Sequence, residues 1–234
     1  MPGPSVILLA LVVAGSDVAM PSDALRAQAA APAPDELTIA QLEYGGGGDW
    51  YANPSGLPNL LAEIRRRTGL PVTQRPARVQ LTDPELWNYP YLYLTGHGNI
   101  QLTESEVRIL RRYLEQGGFL HADDNYGLDE SFRREMRRVF PDQELVELPV
   151  DHPVFRAFYE FPDGLPKIHK HDDKAAQGFG LFHEGRLVVF YSYESDLGNG
   201  WEDAERYDDP PEQREKAFRM GVNLLVYALA QVAQ

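Results

Sequence analysis

The chain has 234 residues, and 43% of them are apolar, enough for the core of one ordinary domain, which excludes global disorder. A formal charge of -13 repels phosphate backbones and anionic bilayers, so nucleic acid is not an expected partner. The lack of cysteine excludes thiol nucleophiles, disulfides, Fe–S clusters, thiolate zinc sites and a cysteine-linked lipid anchor.

Val6 to Gly15 is an apolar run of signal-peptide length, too short to span a bilayer, and Ala27-Gln28-Ala29 matches a small-x-small cleavage pattern. The n-region departs from the pattern, because it carries no Lys or Arg. The expected organisation is a signal peptide over 1–29, a linker over 30–36 and one α/β domain over 37–234. The protein is then exported, periplasmic or extracellular, with no stable membrane insertion once the signal is removed.

Leu37–Leu42 reads as a short strand running into the loop Gly45-Gly46-Gly47-Gly48-Asp49-Trp50. A helix is predicted from about Pro58 to Gly69, with Leu60, Leu61 and Ile64 on one face and Arg65–Arg67 near its carboxyl end. Arg78–Leu81 reads as a weak strand and Tyr91–Thr95 as a strong one, followed by Gly96-His97-Gly98-Asn99. Thr103-Glu104-Ser105-Glu106 is a capping box, the next helix carries Val107, Leu110 and Leu114, and Gly117-Gly118 stops it. Phe119–Ala122 is a strand ending on Asp123-Asp124-Asn125-Tyr126, and Asp129 or Ser131 caps a helix running to Phe140. Glu144–Leu148 is a short strand. Gly180–His183 and Arg186–Tyr193 flank a turn at Glu184-Gly185, a polar loop covers 194–211, and a last helix runs from about Pro211 to Ala230. Strands alternating with helices predict a mainly parallel sheet covered on both faces.

Ligands of such sheets bind beyond the carboxyl ends of the strands, where the loops leave and helix N-termini point. The unusual residues fall there. Gly46, Gly47 and Gly48 read as an anion cradle or a mobile loop. His97 reads as a general base, a metal ligand or a histidine bonded to a neighbouring loop. Asp123 and Asp124 point opposite ways on a strand end, so one faces the crevice as a metal carboxylate or one caps the following turn. His169 and His171 share a face of an extended segment at a spacing zinc sites use, or lie in a solvated polar loop. His121 reads as packed inside its strand and His152 as a helix-start residue. Asp49, Trp50, Asn99, Asn125, Tyr126 and Trp201 are candidate ligand contacts, with a core role open for the aromatic ones. Arg133, Arg134, Arg137 and Arg138 read as a solvated helix face.

The segments Y-G-G-G-G-D-W-Y-A-N-P at 44–54, Y-L-T-G-H-G-N at 93–99, G-G-F-L-H-A-D-D-N-Y-G at 117–127 and Y-E-S-D-L-G-N-G-W-E-D at 193–203 resemble a bacterial domain-of-unknown-function family, number four-one-five-nine, over roughly 37–230. The resemblance implies a class I glutamine-amidotransferase-like fold, that is, a flavodoxin-like α/β sandwich with a late hairpin and helix. Amidotransfer by a cysteine nucleophile is excluded by composition. The leading expectation is a ligand-binding module of the cell envelope, holding a small molecule, a glycan or an envelope protein. The alternative is a metal-dependent hydrolase in which His97, Asp123 or Asp124, with His169 and His171, hold a divalent ion and Glu194 or Asp196 is the base. A structural interaction module is the third.

Overall fold

The computed structural model describes residues 36–171 and 173–232. They lie in the unit Pro32–Gln234. The expected signal peptide, nearly all of the linker, and Asp172 lie outside the described residues.

Chain order begins with β1 (Ile39–Leu42), α1 (Gly56–Thr68), β2 (Ala77–Val79), β3 (Tyr91–Gly96), α2 (Glu104–Glu115), β4 (Phe119–Asp124) and α3 (Asp129–Val139). It continues through β5 (Val146–Glu147), β6 (Gln177–His183), β7 (Arg186–Tyr193), α4 (Leu197–Trp201), α5 (Ala204–Tyr207) and α6 (Pro211–Val232). One seven-stranded sheet has the order β2-β1-β3-β4-β7-β6-β5. Its first five strands are parallel, and β6 and β5 add antiparallel pairings at one edge. This is a flavodoxin-like α/β arrangement. The chain leaves β1 toward β2 on one side and returns to β3 on the other, so the topological switch lies between β1 and β3.

The alternation of side chains along the strands divides the core in two. Leu92, Leu94, Leu120 and Ala122 face α2 and α3, packing with Val107, Leu110, Phe132 and Met136. Tyr91, Tyr93 and Phe119 face α1 and α6, packing with Leu60, Ile64, Met220 and Leu224. The helix ends follow local chemistry. Thr103 and Glu106 complete the expected capping box on α2, and Gly69 ends α1 at φ 72.

Several details differ from the sequence reading. The strand expected over 144–148 keeps only two paired residues, while β6 begins three residues earlier than expected because Gln177–Phe179 continue the ladder with β7. The polar loop expected over 194–211 contains the short helices α4 and α5. Neither Asp129 nor Ser131 caps α3; Asp124 Oδ1 accepts from Leu128 N, and the Ser131 hydroxyl donates to Leu128 O. The α3 arginines are not simply solvated. Arg134 and Arg138 reach the buried Glu135 and the carbonyls of Ile100 and Leu102, and Arg133 lies over the Phe179 ring at 4.4 Å.

Candidate functional site

Two side-chain constellations occupy the carboxyl ends of the parallel strands. The first stands at the topological switch, on the loops after β1 and β3. These loops zip together: Gln101 N donates to Gly45 O at 2.9 Å, Gly48 N to Asn99 O at 3.0 Å and Asp49 N to His97 O at 3.3 Å. The glycine run serves this close approach, since a Cβ on Gly46 would stand 2.5 Å from Gln101 N. The expected anion cradle is thus corrected in part, because the Gly48 N–H is already bonded to a carbonyl.

Asp49 takes both the backbone N–H of His97 and its ring Nδ1, the latter at 3.0 Å, with half of the His97 side chain in solvent. Asn99 Nδ2 donates to Gly46 O, and its Oδ1 accepts from Arg134. Trp50 is partly buried, with its ring near Tyr51 and Arg78. Beside these loops an open groove of about 450 Å³ is lined by Asn99, Gln101, Leu102, Arg134, Glu135 and Arg138.

The second constellation stands over β4 and β7 and is more constrained. Three non-glycine residues there adopt positive φ: Tyr126 at 91°, Glu194 at 56° and Asp196 at 59°. An Asp tolerates that region, but a bulky Tyr at φ 91 is an outlier costing roughly 1–3 kcal/mol, and such outliers persist where surroundings over-determine them. Tyr126 is nevertheless 47% exposed. Its ring stacks on His171 at 5.0 Å and 23°, and His171 Nε2 meets Asp196 Oδ2 at 2.8 Å. Asp196 is buried and also caps α4 through Asn199 N. His169 lies edge-to-face on His171 and pairs with Asp209 at 3.3 Å, while Lys167 pairs with the buried Glu194 at 3.0 Å.

Beneath this layer Asp123 is fully buried and accepts four hydrogen bonds: from the Ser192 hydroxyl at 2.5 Å, the Tyr93 hydroxyl at 3.1 Å, Leu197 N at 3.1 Å and Gly198 N at 2.7 Å. It therefore fastens the start of α4 to the end of β4. Because Ser192 gives its proton to Asp123, His121 Nε2, 3.0 Å from the same hydroxyl, is the donor to it. Burial pushes His121 down to about 3, so its ring is neutral.

Burial, together with the negative charge of Asp196, raises Asp123 above the usual carboxylate range. Burial raises Asp196 as well, with His171 opposing. The hydrogen bond to Asp196 raises His171. Perturbed groups gathered in one place mark a candidate site.

The placement of the expected site residues follows. The structure brings Asp196 and His171 into contact and sets Tyr126 against them, although the sequence offered them for three different roles. It pairs His97 with Asp49, whereas Asp124 caps the turn through Tyr126 N and Leu128 N. The five residues offered to a metal do not gather, and among the described residues no group of three or more His, Asp or Glu is placed to hold one. Trp201 is a core side chain, donating from its indole to Ala217 O at 2.8 Å. Asn125 is buried and accepts from the Thr95 hydroxyl. His152 begins a 3₁₀ turn, where its Nδ1 accepts from Val154 N, as a helix-start residue does.

Sequence reasoning missed Lys167, Ser192, Tyr93 and Asp209. Ser192 and Tyr93 were legible in principle, since they sit one and three residues before the ends of strands that feed the crevice. Among the described residues no helix is long and apolar enough to cross a membrane.

No curated protein matches this sequence. A family model described as Domain of unknown function (DUF4159) matches residues 38–229, and the chain belongs to that family.

Proposed function

We propose that the chain is an exported ligand-binding module of the cell envelope, seating a small molecule or glycan at the carboxyl ends of β4 and β7 without the cysteine nucleophile of glutamine amidotransferases. The observation that carries the reading is Tyr126. A bulky residue held at φ 91, with its ring stacked on a histidine yet half in solvent, contributes little to the core. Strain of this kind is retained where a side chain has work outside the fold. The exposed phenol, the His171–Asp196 pair and the Lys167–Glu194 pair present one apolar face beside several directional polar groups, the composition of a small-molecule seat.

The test is thermal unfolding of the protein against neutral oligosaccharides, peptidoglycan fragments and short peptides. A ligand at about 100 times its Kd stabilises by roughly 2.7 kcal/mol, a rise of about 5–10 °C in Tm for a chain of this size. The rise is expected in the wild type and not in Tyr126→Ala. Covalent turnover of a bound compound, or binding that Tyr126→Ala leaves intact, sinks the reading.

A further inference from the structure

Residues 166–171 lie across the end of β7 and touch each of three consecutive residues there. Lys167 pairs with Glu194. Ile168 N and His169 N both donate to Ser195 O, at 2.9 and 3.3 Å, and the Ser195 hydroxyl donates back to Pro166 O at 2.6 Å. His171 pairs with Asp196. The segment has no helix or strand of its own; these contacts, His169–Asp209 and the buried Ile168 side chain hold it. Its last residue, His171, also supports the Tyr126 ring, so the segment joins the end of β7 to the end of β4.

We propose that 166–171 is a strap over the candidate ligand seat, latched by the His171–Asp196 ion pair in mildly acid solution and loosened as the pH rises. The proposal rests on the reading of that crevice as the ligand seat, and it concerns how the seat is regulated.

The groups that face the latch decide its sign. From β7 and the turn after it come Glu194 and Asp196; from β4 comes Asp123, whose charge acts on Asp196, with Tyr93 of β3 bonded to it. Tyr126 covers His171 from the β4 loop. The strap brings Lys167 and His169, with the Lys170–Asp173 pair outermost, and Lys174 follows, pairing with Glu194. Asp209 and Tyr207 face His169 from the far side.

Acidic neighbours thus outnumber cationic ones around His171. His171 holds its proton more firmly in the folded protein than when free, through its bond to Asp196. The latch needs Asp196 ionised and His171 protonated, so it weakens as the His171 proton is removed. The His171 contribution is complete below about pH 6.5 and is lost as the pH rises through its raised value. Above that, a neutral imidazole still donates to a carboxylate, but without the charge-assisted strength.

The test is hydrogen exchange on the full chain without ligand, following the Ile168 and His169 amides, corrected for the intrinsic pH dependence of exchange. Their protection is expected to fall severalfold between pH 6 and pH 8.5 as the charge on the His171 imidazolium is lost, while Leu92 and Leu94 in β3 keep theirs. His171→Gln retains a neutral donor and is expected to give protection independent of pH. Ile168 protection that is flat with pH in the wild type, or that falls equally in His171→Gln, overturns the strap. Because the assay contains no ligand, its failure is separate from failure of the binding reading, which would appear as no ligand-induced rise in Tm at either pH.

Discussion

The same two side chains, an aspartate and a histidine, meet twice at one end of this sheet, and the two meetings have different physics. Asp49 and His97 stand over β1 and β3 with the His97 side chain half in solvent. Asp196 and His171 stand over β4 and β7, where Asp196 is buried, sits in the left-handed region and lies close enough to Asp123 for their charges to interact. Water screens the first pair, and exposed pairs of that kind contribute about 0–1 kcal/mol. The second pair lies where screening is weak and where an unpaired charge is costly. The topological switch, where a doubly wound sheet usually binds its ligand, thus carries the looser pair, and the tighter, strained arrangement lies one strand pair away.

Three substitutions sharpen that contrast. The largest effect is expected for Asp123→Ala, which leaves the Ser192 and Tyr93 hydroxyls and the N–H groups of Leu197 and Gly198 without their acceptor. A loss of about 3–5 kcal/mol in urea unfolding is expected. A loss below about 1 kcal/mol would mean that the buried layer does not hold α4. Tyr126→Gly comes next. Glycine adopts φ 91 without penalty, so unfolding should become harder by up to about 1 kcal/mol even as ligand-induced stabilisation disappears. A destabilised variant would place Tyr126 in the core and remove the contrast. The smallest effect is expected for His97→Ala, within about 0.5 kcal/mol of wild type by the same measurement. A value several times larger would make the switch-point pair the tighter of the two.

Much of the scaffold is legible in the sequence. The capping box at Thr103, the left-handed Gly69 and the hairpin about Glu184-Gly185 are local signals, and each appears where local chemistry puts it. The gathering of polar residues at the strand ends was legible too, because alternation and topology dictate which end receives the loops.

The pairings were not legible. His171 and Asp196 were assigned to different roles because their contact depends on the strap crossing β7, a non-local event with no pattern of its own. Asp123 looked available to a metal because nothing in its vicinity announces that residues 197 and 198 will begin a helix against it. Trp201 looked like a loop aromatic for the same reason. Its packing partners lie on β3, β4 and α6, and only the folding of α4 turns it inward.

Glu202 carries a consequence of another kind. Helix α1 begins at Gly56 with no side-chain cap from Ser55; instead Ser55 N and Gly56 N both donate to Glu202 Oε1, at 2.8 and 2.9 Å, from 146 residues or more further along the chain. On a ribosome, the first helix of the domain therefore waits for nearly the last loop before its amino end is complete. Adding a residue every tenth of a second or so, synthesis leaves that end open for roughly ten seconds or more. The delay falls on the helix that packs with Ile39 of β1, at the stage when strands whose partners are not yet made are most open to wrong pairing.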